Sequence, residues 1–109
     1  RISHTDFGAL LGKINAKFVY ILDINTREGR TWDNAGLVED ITTGSAVGPT
    51  GAYLVEHSLA RYNETIIINQ GCFIGRPSKL SVRVNNQNKS GIEVLVSGDV
   101  YIFACGQVL

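Results

Sequence analysis

The chain has 109 residues, 44% of them hydrophobic, with 12 Gly and only 2 Pro. That supports one modest core and excludes a collagen-like or low-complexity chain. Ten Lys and Arg balance ten Asp and Glu, so the basic excess of a nucleic-acid binder is missing. No apolar run approaches the ~20 residues that cross a bilayer.

In chain order, residues 6–14 place Phe7, Leu10, Leu11 and Ile14 at helical spacing, with Thr5 or Asp6 as N-cap. Residues 17–24 (KFVYILDI) are β-branched and aromatic and read as a buried strand. A turn at 25–29 and a short strand at 30–33 follow. Residues 45–60 read as a helix, apolar on much of its surface and central to the core, with Pro49 in its first turn. The rest is strand and turn. TIIIN at 65–69 is a continuous apolar strand, KLSVRV at 79–84 alternates, and NNQNKSG at 85–91 is a polar hairpin loop. Two more strands, 92–96 and 99–104, are joined by Ser97-Gly98. One long helix and many short strands predict an α+β domain with a mixed, largely antiparallel sheet.

Cys72 and Cys105 lack CxxC or His partners at ligand spacing. They read as small buried side chains in a reducing compartment, and residues 1–7 carry no apolar signal segment. The expected location is cytoplasmic. The chain starts at Arg1 and holds no Met, as expected of a processed start or a piece of a longer protein.

Two segments carry chemistry. EDITTGSA at 39–46 runs a loop into a helix start. Free N–H groups on Gly44, Ser45 and Ala46 at the positive end of the helix dipole suit a carboxylate or phosphate. Asp40 is close enough to reach the same space. A carboxylate beside a bound carboxylate meets like-charge repulsion, which favours its protonated form and suits it to proton transfer. Taken alone, the stretch reads more simply as an N-capping Ser45 and a loop Asp40. The second segment, QGCFIGRPS at 70–78, is a tight connection between strands, with Gly71 and Gly75 free to take positive φ. Its Arg76 is suited either to a substrate anion or to a local carbonyl.

Other polar and aromatic residues read as structural. His57 packs or faces solvent, and His4 is solvated near a terminus. Trp32 and Tyr53 belong to the core. Glu28, Arg30 and Asp33 form a solvated rim, and Arg83 faces Glu93 across a hairpin.

The two segments in order, EDxxTGSAxGPxGAYL then QGxxxGRPS, resemble the C-terminal half of the PhzF-like family of phenazine-biosynthesis isomerases, related in fold to diaminopimelate epimerase. The likeness runs from Lys17 to Leu109 and includes EGRTWDNAG and a closing VSGDVYIFACGQVL. It implies a single domain over 1–109 that forms one lobe of a two-lobed protein, its sheet curled barrel-like around the 45–60 helix. It implies cofactor-independent proton transfer on a small carboxylate substrate, with no metal or organic cofactor. Asp40 and Ser45 match the family's motif residues for substrate contact and proton shuttling. The amides of Gly44, Ser45 and Ala46 match its carboxylate-holding helix start, and Arg76 is a further candidate for substrate binding. Ile41 stands where the family often has Pro. Cys105 has only four residues behind it, so the cysteine chemistry of the related epimerase is excluded at that position. The family's principal acid/base is a glutamate of the N-terminal lobe, which is missing here. The chain alone is therefore expected to be inactive, and to form a homodimer or pair with that lobe. The competing expectation is a non-catalytic half-domain that self-associates or binds a partner.

Overall fold

The computed structural model describes residues 1–87 and 91–109. The elements are α1 (Phe7–Lys13), β1 (Tyr20–Asp23), β2 (Glu28–Thr31), α2 (Gly44–Glu56), β3 (Thr65–Gln70), a 3₁₀ turn (Cys72–Ile74), β4 (Ser78–Gln87) and β5 (Gly91–Gly98). The five strands form one sheet in the order β1-β2-β3-β4-β5. Three pairs are antiparallel, and β2 and β3 are parallel across only Glu28↔Asn69 and Gly29↔Gln70. A parallel pair needs a crossover, and α2 lies in that connection. The fold is therefore α+β with a mixed sheet.

The core forms where α2 lies on one face of the sheet. Val47, Leu54 and Val55 of α2 pack with Ile66 and Ile68 of β3 and Val82 and Val84 of β4. β3 alternates rather than being buried throughout: Ile66 and Ile68 point inward while Ile67 is 42% exposed, because only one face carries a helix. The same one-sidedness limits β1, where Tyr20 and Leu22 pack against the core and Ile21 faces out.

α2 approaches β4 on glycine. A Cβ on Gly51 would lie 2.6 and 2.9 Å from the two methyls of Val82, and one on Gly48 would touch Val94 and Val96 at 3.6 Å. Pro49 sits inside the helix rather than in its first turn. It cannot donate back to the Ser45 carbonyl. The helix ends at Glu56, four residues short of the expected 60, as Ser58 turns left-handed at φ 57° and the Leu59 and Ala60 amides fold back onto the Leu54 carbonyl.

Several expectations are corrected. The sheet is open, not curled into a barrel: β1 and β5 are its edges, and α2 covers one face. The 99–104 segment forms no strand; residues 99–109 have no regular structure and are exposed. The 85–91 loop is shorter than expected, because β4 continues through Asn85 to Gln87 and β5 starts at Gly91; positions 88–90 of that loop lie outside the described residues. Cys72 and Cys105 are both free and exposed, not buried, one on the surface turn after β3 and the other in the exposed end. Tyr53 is 54% exposed, not core; it stacks on His57 at 4.3 Å at the end of α2. Arg83 does not face Glu93: the register pairs Arg83 with Leu95 and Asn85 with Glu93, and Asn85 bridges the two charges at 3.0 and 2.9 Å. Among the described residues no helix is long and apolar enough to cross a membrane.

The Gly51 contact separates two opposing effects. Ala returns ~1 kcal/mol of helix propensity, but overpacking against a fully buried valine costs about 1–3 kcal/mol. Gly51→Ala should therefore lower stability by about 1 kcal/mol, or about 5 °C in Tm. Gly12→Ala in α1, where an added Cβ meets nothing within 4 Å, should raise it by roughly 0.5–1 kcal/mol. Thermal unfolding of the two variants side by side checks the difference in sign.

Candidate active site

The loop between β2 and α2 is tied down at each step. The Asp40 amide donates to the Thr31 carbonyl at 3.0 Å, and Trp32 and Glu39 form a β-bridge. Glu39 receives two hydrogen bonds from Arg30, both 2.8 Å, and its side chain is only 3% exposed. The Arg30 guanidinium also lies over the Trp32 ring at 4.9 Å and the Phe73 ring at 4.1 Å. Hydrogen bonding to Arg30 holds the Glu39 carboxyl below the ordinary carboxylate range, although burial works in the opposite direction. Arg30 is therefore not part of a solvated rim. It neutralises the one buried carboxylate next to Asp40, in the bidentate geometry that suits guanidinium and carboxylate.

The second motif clamps the first. Gln70 ends β3 on its inward side and is fully buried. Its Nε2 donates to the Asp40 carbonyl at 3.1 Å and to Thr43 Oγ1 at 3.0 Å. The Ser78 hydroxyl donates to the Ile41 carbonyl at 3.0 Å. Gly71 sits at φ 84°, and a Cβ there would overlap the Arg76 carbonyl and come within 3.0 Å of the Ile41 carbonyl. Only glycine combines that backbone angle with that close approach. Gln70, Gly71 and Ser78 thus hold residues 40–43 against the β3–β4 turn.

A cavity of about 710 Å³ opens beside this loop, within the usual size of a small-molecule site. Asp40, Thr43, Ser45 and Ala46 line it together with the apolar Phe18, Trp32 and Val38. Trp32 is buried as expected, but it also forms cavity wall. The exposed Asp40 carboxylate accepts a 2.6 Å hydrogen bond from the Thr43 hydroxyl.

The helix start differs in detail from the expected one. Thr43, not Ser45, holds the N-cap position, without a side-chain cap bond, and Ser45 lies one residue inside the helix. The Ala46 amide donates to the Thr43 carbonyl at 3.2 Å, so it is not free. Among the described residues, the Gly44 and Ser45 amides have no acceptor within the chain, as expected for the first turn of a helix. No acidic side chain stands in that turn. Gly44 is not among the cavity-lining residues, and neither is Arg76, which is exposed on the β3–β4 turn. No group of three or more His, Cys, Asp or Glu among the described residues is placed to hold a metal ion.

Sequence reasoning missed Glu39, Arg30 and Gln70. Gln70 had a readable signal: in TIIINQ the inward positions are 66, 68 and 70, and a glutamine in an inward series of isoleucines calls for partners.

The sequence and the fold are similar to those of known proteins. The PhzC-PhzF family, described as phenazine biosynthesis-like protein, matches residues 26–106. Trans-2,3-dihydro-3-hydroxyanthranilate isomerase of Pseudomonas aeruginosa is 39% identical over 85 residues, covering 72% of this chain and 31% of that protein. An uncharacterized isomerase of Clostridium acetobutylicum is 41% identical over 70 residues, covering 62% of this chain and 23% of that protein. The solved structure of a predicted epimerase from Pseudomonas aeruginosa superposes with a TM-score of 0.71 at 44% identity, over 94% of this chain and 37% of its own. The chain thus spans about a third of the length of such relatives or less.

The Arg30–Glu39 pair has a signed pH dependence. A depressed carboxyl pKa adds stability that is present above the unfolded value, ~4.3 for glutamate, and is lost as pH falls through the folded value. Denaturant unfolding between pH 7 and pH 3 should show a loss on acidification that is smaller in Glu39→Gln. Arg30→Met at pH 7 should cost about 3 kcal/mol, since it leaves a buried carboxylate without its partner.

Proposed function

The chain belongs to the phenazine-biosynthesis-like family, and we propose that it forms one lobe of a cofactor-independent isomerase that moves a proton on a small carboxylate-bearing substrate. The observation that carries this reading is the shared cavity: Asp40 and the start of α2 face the same 710 Å³ space. The substrate carboxylate sits at the start of α2, where the free Ser45 amide belongs to the cavity wall and the helix dipole favours negative charge. Phe18, Trp32 and Val38 cover its apolar carbon frame. A base removes a proton from a carbon conjugated with the carboxylate, and the C–H electron pair moves into the π-system. A new C–H bond then forms where a proton is returned. Asp40 handles one of these two transfers, with Ser45 contacting the substrate. The partner acid/base comes from a second lobe, across the cleft of the two-lobed arrangement that the resemblance implies.

Two measurements test the reading. Titration of the ¹⁵N-labelled chain with anthranilate should move the amide signals at the start of α2 most, Ser45 foremost; a response centred elsewhere would argue against the carboxylate seat. Deuterium wash-in on trans-2,3-dihydro-3-hydroxyanthranilate should require this chain together with the N-terminal lobe of the Pseudomonas aeruginosa relative. It should fall at least ~100-fold in Asp40→Asn, the scale of general acid–base catalysis. Wash-in unaffected by Asp40→Asn would remove Asp40 from the mechanism.

Assembly belongs to the same proposal. Val100, Tyr101, Ile102 and Phe103 are four consecutive side chains, each at least 85% exposed, more contiguous apolar surface than isolated folded chains leave in water. A second lobe, or in its absence a second copy of this chain, covers them. Sedimentation at tens of micromolar should give a dimer or larger species, and replacement of Ile102 and Phe103 by Ser should shift it to monomer. A wild-type chain that sediments as a monomer would overturn this.

A further inference from the structure

The hydrogen bonds around Gln70 have a single direction. Tyr20 Oη donates to Gln70 Oε1 at 3.2 Å, and Gln70 Nε2 donates to the Asp40 carbonyl at 3.1 Å and to Thr43 Oγ1 at 3.0 Å. Thr43 Oγ1 donates to Asp40 Oδ2 at 2.6 Å. A hydroxyl has one proton. Because Thr43 Oγ1 receives the amide proton, its own proton is free to go to the carboxylate. Reversing the Gln70 amide would set its carbonyl oxygen against the Asp40 carbonyl oxygen, two acceptors with no proton between them, so the orientation is fixed.

Tyr20 reaches Gln70 only because residue 29 is glycine: a Cβ on Gly29 would overlap the Tyr20 hydroxyl. Burial, with Glu28 adding to it, pushes the Tyr20 hydroxyl up to about 12, so it stays a donor at neutral pH. The amide is thus held at both ends by groups from β1 and from the 40–43 loop.

We propose that Gln70 is a positioning residue for Asp40: acting through Thr43 it engages Oδ2 and leaves Oδ1 as the oxygen that exchanges a proton with substrate. This rests on the assignment of Asp40 to proton transfer made above. Gln70 is not among the residues that line the cavity, so its effect reaches the substrate through where Asp40 points. A misplaced reacting group costs up to ~100-fold in rate without weakening binding comparably.

The test uses Thr43→Val, which keeps the shape and removes the hydroxyl, Thr43→Ser, which keeps the hydroxyl, and Gln70→Met. In the two-lobe wash-in assay, Thr43→Val and Gln70→Met should lower the rate at saturating substrate by roughly 10- to 100-fold, with KM changed less than about twofold. Thr43→Ser should recover most of the rate, and a merely structural role would not give that pattern. Independently of turnover, the two Gln70 side-chain amide protons of the 109-residue chain should exchange slowly with solvent. In Thr43→Val one of them should lose that protection. Gln70 amide protons exchanging at the solvent rate in the wild type, or Thr43→Val turning over like wild type, would overturn the proposal. Absence of wash-in from the wild type with protected amide protons would instead sink the isomerase reading and leave the directed network standing.

Discussion

A single buried amide joins the two halves of this domain. Gln70 is a fully buried polar side chain at the end of a strand whose other inward residues belong to a cluster of valine, leucine and isoleucine. Burying such a group without partners costs a few kcal/mol, so the core is stable only if the Asp40–Thr43 loop comes back across the end of β3 to receive its hydrogens. That requirement fixes the loop, and the loop fixes where α2 begins. It also draws β1 and β2 into place, since Tyr20 satisfies the remaining acceptor. The parallel register of β2 on β3 is only two residues long, so part of what holds that half of the sheet is this side-chain contact rather than the ladder.

A second pair secures the same loop from its other side. Arg30 and Glu39 are both charged, and Glu39 is almost fully enclosed. A buried ion pair contributes little net stability once desolvation is counted. Its value here lies in geometry: the planar guanidinium, stacked against Trp32 and Phe73, accepts only one arrangement of the carboxylate. Asp40 therefore stands between two anchors, Glu39 before it and its own carbonyl on Gln70. An exposed carboxylate on a short loop would ordinarily sample many positions. This one is offered to the cavity in a defined place.

The glycines serve close approach more than flexibility. Gly51 lets α2 settle against Val82, Gly29 makes room for the Tyr20 hydroxyl, and Gly71 lets the β3–β4 turn pass beside the Ile41 carbonyl. A methyl group would meet the Val82 side chain at Gly51, the Tyr20 ring at Gly29 and backbone at Gly71. Close approach thus accounts for Gly51 in the first motif and Gly71 in the second, whereas Gly44 and Gly75 face open space.

The sequence by itself determined the α+β class, the places of β3 and β4, the helix start near residue 44, and the family, the last through two motifs that prove to be one mechanical unit. Those features rest on short-range physics, namely side-chain periodicity, helix-start residues and glycine turns, all of which lie within a few positions of one another. The tertiary structure alone decided which polar groups meet. Arg30 and Glu39 read as unrelated charges until the chain reverses at Gly36 and brings β2 against the bridge at Trp32. Gln70 read as part of a turn because its inward side is defined only once α2 has chosen a face of the sheet. The fate of residues 99–104 was likewise undecidable locally: β-branched and aromatic residues give a strand only where an edge accepts their hydrogen bonds, and in this chain they remain in solvent.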